Sequence, residues 1–297
     1  MKINFKTKLA ASMLGLGLSL SATAPADDTQ IFMLNPLAQA GLPNVLFVWD
    51  NTANWNQPFE AEKTALINAF NGVDANRFNV GLMMFTESGG GNSNTDGAYV
   101  RAAIRLLDDN YKLKLGNLLN SLDILDDKSN GAKYSTASYE VWQYFNGLVP
   151  FAGNGKVKTD YTGNTSGTAE SQAIYALPNN ALSSKNGSPY RKPPSDGCQK
   201  NTVVFISNGP AADNTNDINS ARAGLLAAGG SDQEISLSPS GEQTVLSDEW
   251  ARFMANHSLP DREKVSTYTI DVNPGFTGQG PAHSAMLKSM AQNNGGK

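Results

Sequence analysis

Short apolar runs alternate with helix-spaced apolar residues along most of the chain. Residues 44–49 form a continuous apolar run that ends abruptly in Asp50, as expected of a parallel strand buried on both faces. The same pattern predicts further strands at residues 78–85, 98–107, 202–207 and 265–272. Apolar spacing of three and four predicts helices at residues 59–70, 115–125, 137–145, 218–226, 245–254 and 282–290. Alternating strands and helices predict an α/β fold with a doubly wound, mostly parallel sheet flanked by helices.

Two polar stretches interrupt this alternation. Residues 88–97 lack apolar side chains and predict an exposed connection. Residues 147–199 are rich in Gly, Asn, Ser, Thr and Pro, and predict a long insertion. Tyr161, Tyr175 and Tyr190 favour a partly ordered loop packed on the domain over a flexible linker.

The N-terminus has the features of a secretory signal peptide. Three lysines within the first eight residues precede an apolar stretch and the small residues Ala24 and Ala26. We expect cleavage after Ala26, export across the inner membrane, an N-terminal extension over residues 27–43 and a domain over 44–297. A retained N-terminal anchor is the alternative. No apolar run reaches 18 residues, so no transmembrane segment is predicted.

The net charge and the cysteine content limit the classes of partner that the protein is expected to have. The chain has 23 basic and 27 acidic residues, and removing residues 1–26 takes away three lysines and no acid, for a net charge of −7. An acidic protein is not expected to bind nucleic acid. Cys198 is the sole cysteine, so it is either a buried thiol or paired outside the chain. The helix-ending signal at residues 293–297 predicts a domain truncated at its C-terminal end.

Oxygen-bearing side chains follow the predicted strands at three places. Asp50, Thr52 and Asn54 follow the first strand, residues 132–136 precede a helix, and Asn208 follows the strand at 202–207. Because the carboxyl ends of parallel strands meet at one edge of a sheet, we expect these loops to form a common rim. Such oxygens are the ligands that Mg²⁺ and Ca²⁺ take.

These loops resemble the metal-ion-dependent adhesion site of von Willebrand factor A-type domains. The family pattern is D-x-S-x-S, a threonine on the second loop and an aspartate on the third. The resemblance implies a site made of Asp50, Thr52, Asn54, Thr136 and Asn208. It is degenerate, since Asn54 replaces a hydroxyl and Asn208 a carboxylate, and we expect weak binding of Mg²⁺ or Ca²⁺ or an empty site.

Two points about this site stay open. The second-loop position corresponds either to Thr136 or to Ala132, which has no side-chain oxygen. Asp50 is also a suitable helix cap, and Thr52 and Asn54 are typical turn residues, so the loops need no metal to explain them.

Several segments resemble the N-terminal part of PilY-type proteins of type IV pilus assembly and pilus-tip adhesion. They are residues 44–51, 139–145, 198–201, 266–272, 287–291 and 295–297. The resemblance implies an exported, non-catalytic binding domain whose partners are a protein or cell-surface ligand, pilus components among them. In that family a β-propeller with a calcium site follows the A domain, and this chain has neither, so the function transfers only in part.

Other functions are weaker alternatives. A secreted metal-dependent hydrolase would use Asp50, a metal and a histidine, but His257 and His283 are predicted to lie at the surface and away from the rim loops. A truncated remnant of a larger pilus-tip protein is the other alternative. Residues 213–217 resemble the start of an EF-hand loop without its later ligands, and instead predict a helix N-cap near Asn216 or Asp217.

Overall fold

A five-stranded sheet with helices on both faces forms the centre of the computed structural model. The structure describes residues 41–52, 56–86, 95–124, 127, 129, 131–153, 181–182, 189–195, 199–238, 244–257, 262–272 and 281–293. The elements in chain order are β1 (Asn44–Trp49), α1 (Asn56–Gly72), β2 (Asn79–Phe85), β3 (Ala98–Leu106), α2 (Asp109–Ser121), α3 (Tyr134–Phe145), β4 (Asn201–Ser207), α4 (Thr215–Ala227), α5 (Ser247–Asn256), β5 (Val265–Asp271) and α6 (Pro281–Gln292).

The strand order in the sheet is β3-β2-β1-β4-β5. Strand β1 pairs in parallel with β2 and β4, β4 pairs in parallel with β5, and only β3 is antiparallel, along β2. Asn44 is in register with both Asn79 and Asn201, so the central strands begin together and bring their carboxyl ends to one edge. The predicted fold class, a mostly parallel α/β sheet flanked by helices, is confirmed.

Alternate residues of the central strands pack against different helices. Phe47 and Trp49 contact Phe70 and Phe59 of α1. Val48 lies between Phe47 and Trp49 on β1 and is in register with Phe205 of β4. Phe205 contacts Tyr134 of α3. Because successive side chains of a strand point to opposite faces, α1 and α3 cover opposite faces of the sheet. Burial on both faces explains why β1, β2 and β4 read as continuous apolar runs.

Several predicted features lie outside the described residues. They are the signal peptide, residues 27–40 of the extension, residues 88–94, Asn54, Cys198, most of the insertion and residues 294–297. Among the described residues of the insertion, Leu182 and Tyr190 are buried and pair in an isolated antiparallel bridge. In the part of the chain that the structure describes, no helix is long and apolar enough to cross a membrane.

Candidate functional site

The carboxylate of Asp50 is the centre of the rim where β1 and β4 end. It is fully buried, and its backbone N–H donates to the Ile206 carbonyl at 2.9 Å. Its Oδ1 accepts hydrogen bonds from the backbone N–H of Thr52 at 3.0 Å and from the Thr52 hydroxyl. Its Oδ2 accepts from the Ser207 hydroxyl at 2.7 Å and from the backbone N–H of Asn208 at 3.4 Å. Asp50 therefore joins the first and third loops.

The side-chain amide of Asn208 links the same two loops to helix α1. Its Nδ2 donates to the backbone carbonyl of Asp50 at 3.1 Å and to Oε2 of Glu62 at 3.2 Å. Its Oδ1 lies 3.3 Å from the Thr52 hydroxyl, which shares its single hydrogen between Asn208 and the closer Asp50 Oδ1. Glu62 Oε2 also accepts from the indole N–H of Trp49 at 2.6 Å. Glu62 is a member of this cluster that the sequence analysis did not single out.

Burial shifts the pKa of both carboxyl groups in the cluster. Desolvation raises the pKa of Asp50, against the opposing effect of its hydrogen bonds from Thr52, Ser207 and Asn208. Desolvation also raises the pKa of Glu62, to about 8, against its hydrogen bonds from Trp49 and Asn208, while the charge of Asp50 raises it further. Glu62 is therefore mainly a neutral acid at pH 7.

The second loop approaches the first through other residues than the predicted threonine. Asn51 donates from Nδ2 to the Asp127 carbonyl at 2.7 Å, and the backbone N–H of Ser129 donates to the Asn51 carbonyl at 3.0 Å. Thr136 lies in the first turn of α3, where its hydroxyl donates to the Lys133 carbonyl at 3.3 Å. Ala132 contributes a backbone carbonyl, which accepts from Ala212 N–H at 2.8 Å.

Asp213 supplies the N-terminal cap that α3 needs. Its carboxylate accepts from the backbone N–H groups of Tyr134 at 3.0 Å and Ser135 at 2.9 Å. The segment from Asp213 to Asp217 is thus a capping segment, as predicted, but the N-cap of α4 is Asn214, two or three residues before the predicted positions.

The two histidines are buried, so the predicted surface positions are wrong. His257 is the C-cap residue that follows α5, and it packs edge-on against Trp142, with ring centroids 5.0 Å apart. His283, at the start of α6, places Nδ1 3.5 Å from the Tyr134 hydroxyl, which contacts Ser207 beside Asp50. His283 Nε2 lies 3.5 Å from Asp271 Oδ1. His283 therefore does lie next to the rim, contrary to the sequence-based expectation.

An apolar cavity of about 350 Å³ lies between α1 and the β4–β5 edge of the sheet. Phe47, Ile206 and Ile270 line its sheet side, and Glu62 is the only ionisable residue among the described residues that line it. The Glu62 oxygen that does not contact Trp49 or Asn208 is buried and has no hydrogen-bond partner among the described residues. Glu62 therefore joins the rim cluster to this cavity.

The fold resemblance implies a divalent cation at the rim, and the described donors do not fit one. A carboxylate has about four acceptor positions, and those of Asp50 receive four protein hydrogen bonds. Asn208 turns its two amide N–H donors towards the Asp50 carbonyl and Glu62, where a cation would require acceptors. The described residues contain no group of three or more His, Cys, Asp or Glu able to hold a metal ion. Asn54 lies outside the described residues.

No family model and no curated protein matches the sequence. Among solved structures, proximal thread matrix protein 1 from the mussel byssus matches at 8% identity with a TM-score of 0.39, over 84% of this chain and 40% of that one. Its second crystal form matches at 7% identity and a TM-score of 0.34, and its form with a zinc-occupied MIDAS motif at 8% and 0.32.

The chain thus spans well under half the length of the solved protein it matches. Similarities this weak do not carry a function from one chain to the other. The fold and the rim define the class from this chain's own features: an α/β domain with a mostly parallel five-stranded sheet, in which hydrogen bonds among Asp50, Thr52 and Asn208 join two strand-end loops.

Proposed function

We propose that this protein is an exported, non-catalytic binding domain that acts in type IV pilus biogenesis or pilus-associated adhesion. The observation that supports it best is the rim, where buried Asp50 fixes two strand-end loops in one conformation. Loops held by a rigid scaffold are the usual site of recognition in α/β folds. The signal-peptide pattern and the ordered PilY-type segments favour an exported protein and a pilus-associated partner.

A secreted metal-dependent hydrolase is the competing function, and one contact favours it: His283 lies beside Tyr134 and Ser207 at the rim. Burial weighs against it, because Ser207 and Tyr134 are fully buried and His283 is 4% exposed. A general base must reach substrate or a bound water, and these groups face one another instead. Desolvation by burial lowers the pKa of the His283 imidazole, and the charge of Asp271 acts in the opposite direction and raises it.

The test is deletion of the gene in the bacterium that encodes the protein, with complementation by the wild type. We expect the protein in the periplasm or at the cell surface, and loss of piliation or adhesion in the deletion strain. A protein confined to the cytoplasm, or unchanged piliation and adhesion, would contradict the proposal. Ester or peptide hydrolysis by the purified protein that is lost in His283→Ala would favour the hydrolase.

A further inference from the structure

We propose that the side-chain amide of Asn208 takes the place of a divalent cation at this rim, so that the first loop, the third loop and helix α1 are held together without metal. This inference concerns the rim alone and does not depend on a role in pilus assembly. It starts from the position of the amide, which contacts the first loop, the third loop and helix α1 at once.

A cation at a strand-end rim attracts oxygen atoms from separate loops and offsets their mutual repulsion. Here the oxygens of Asp50 and Glu62 face the Nδ2 group of Asn208, whose two hydrogens carry partial positive charge. One N–H donates to the Asp50 carbonyl and the other to Glu62. Both oxygens are thus satisfied by a neutral group.

The carboxylate oxygens of Asp50 also accept hydrogen bonds from the protein. The carboxylate of Asp50 receives the Thr52 and Ser207 hydroxyls and two backbone N–H groups. In a metal site the hydroxyl oxygens would face the cation, whereas here the Thr52 and Ser207 hydroxyls donate to the Asp50 carboxylate. Binding a cation would require breaking several of these buried hydrogen bonds, each of which is costly to leave unmade.

Replacing Asn208 by aspartate would restore the carboxylate of the family pattern. In Asn208→Asp, an oxygen would replace Nδ2 at 3.1 Å from the Asp50 carbonyl and 3.2 Å from Glu62 Oε2. At the Asp50 carbonyl an acceptor would then face an acceptor, and a further carboxyl group would be buried beside those of Asp50 and Glu62. We therefore expect the substitution to convert a cation-independent rim into a cation-dependent one.

The experiment measures Tm of the full chain in EDTA and in millimolar MgCl₂, CaCl₂ or MnCl₂. The wild type should show the same Tm in all four. Asn208→Asp should melt lower in EDTA and recover by on the order of 5 °C with at least one cation. Asn216→Asp is the matched control, because it adds the same charge at an exposed position of α4 and should not respond to cations.

Two further samples keep the inference testable if Asn208→Asp does not fold. Asn208→Ala removes the amide without adding charge, and it should melt below the wild type with no cation response. Paramagnetic resonance of Mn²⁺ with the wild type should show only free ion. Bound Mn²⁺ that is lost in Thr52→Ala, or a folded Asn208→Asp that ignores all three cations, would overturn the inference.

Discussion

Replacing Glu140 should destabilise the domain more than any surface change, because this α3 residue holds the ends of the long insertion. The side chain is fully buried. Its Oε2 accepts from the backbone N–H groups of Phe151 at 3.1 Å and Ala152 at 2.7 Å. Its Oε1 accepts from Gly153 N–H at 3.2 Å and the Tyr190 hydroxyl at 2.5 Å. One carboxyl group therefore joins both ends of the insertion to the core.

Glu140→Ala removes the acceptor from all four donors. A buried unsatisfied donor costs about 1–3 kcal/mol, and relaxation or entering water recovers part of the sum, so we expect a loss of about 3–5 kcal/mol. Tyr190→Phe removes one donor and keeps the ring contact with Tyr144, so about 1 kcal/mol should be lost. Because both changes remove the same hydrogen bond, the double variant should lose less than the sum.

Urea unfolding followed by tryptophan fluorescence measures these losses. Glu60→Ala on α1 is the control: its side chain is 54% exposed and its ion pair with Lys63 is a surface contact, so the loss should stay below about 1 kcal/mol. Partial proteolysis should cut Glu140→Ala faster than the wild type near residues 147–153. A free energy of unfolding for Glu140→Ala within about 1 kcal/mol of the wild type would refute the anchoring role.

Three further predictions concern pH, packing and capping. Burial raises the pKa of Glu140 to about 7 against its hydrogen bonds, so its contribution to stability is complete below the unfolded pKa and is lost as pH rises through 7. The difference in unfolding free energy between the wild type and Glu140→Gln, measured by urea unfolding at pH 5, 6 and 8, should therefore narrow as pH rises. A difference that widens would contradict this prediction. In Gly224→Ala the new Cβ would lie 2.6 Å from the Tyr139 ring, which predicts a loss of about 1–3 kcal/mol in unfolding free energy. Gly116→Ala in α2 is the control, because its Cβ meets open space and should raise Tm slightly. Equal Tm values for the two variants would refute the packing argument. Asn214→Ala removes the capping box of α4 and should cost about 1 kcal/mol in urea unfolding, against no loss for Asn219→Ala on the same helix.

The fold was predictable because burial on both faces leaves a direct trace in the sequence. The runs at β1, β2 and β4 are apolar at nearly every position, and the carboxyl edge was marked by Asp50 and Ser207-Asn208. Boundaries differ by a few residues, most at α2, which begins six residues earlier than predicted and ends at Ser121. Asp108 caps its start through the Tyr111 N–H, a local signal that apolar spacing does not contain.

The histidines show a different limit. His257 continues the buried stripe of α5 that contains Trp250 and Met254, at the spacing of three and seven residues that defines one helix face. That spacing was available in the sequence and would have predicted burial. The same spacing applies to His283, which lies three and seven residues before the buried Met286 and Met290 of α6, whereas its contact with Tyr134, 149 positions away in the chain, had no sequence signal.

Asn208 shows why a motif comparison could identify the rim but not its chemistry. In the family pattern an amide at this position is the loss of a ligand charge, which suggests only a weaker metal site. In three dimensions the same amide gains two donors that a carboxylate lacks, and both are used. Glu62, which accepts from one of these donors, lies on α1, twelve residues beyond Asp50, and belongs to no part of the motif. Its contact with Asn208 therefore had no sequence signal. The functional meaning of a substituted ligand therefore depends on what surrounds it, and here the surrounding oxygens are those that an N–H donor satisfies.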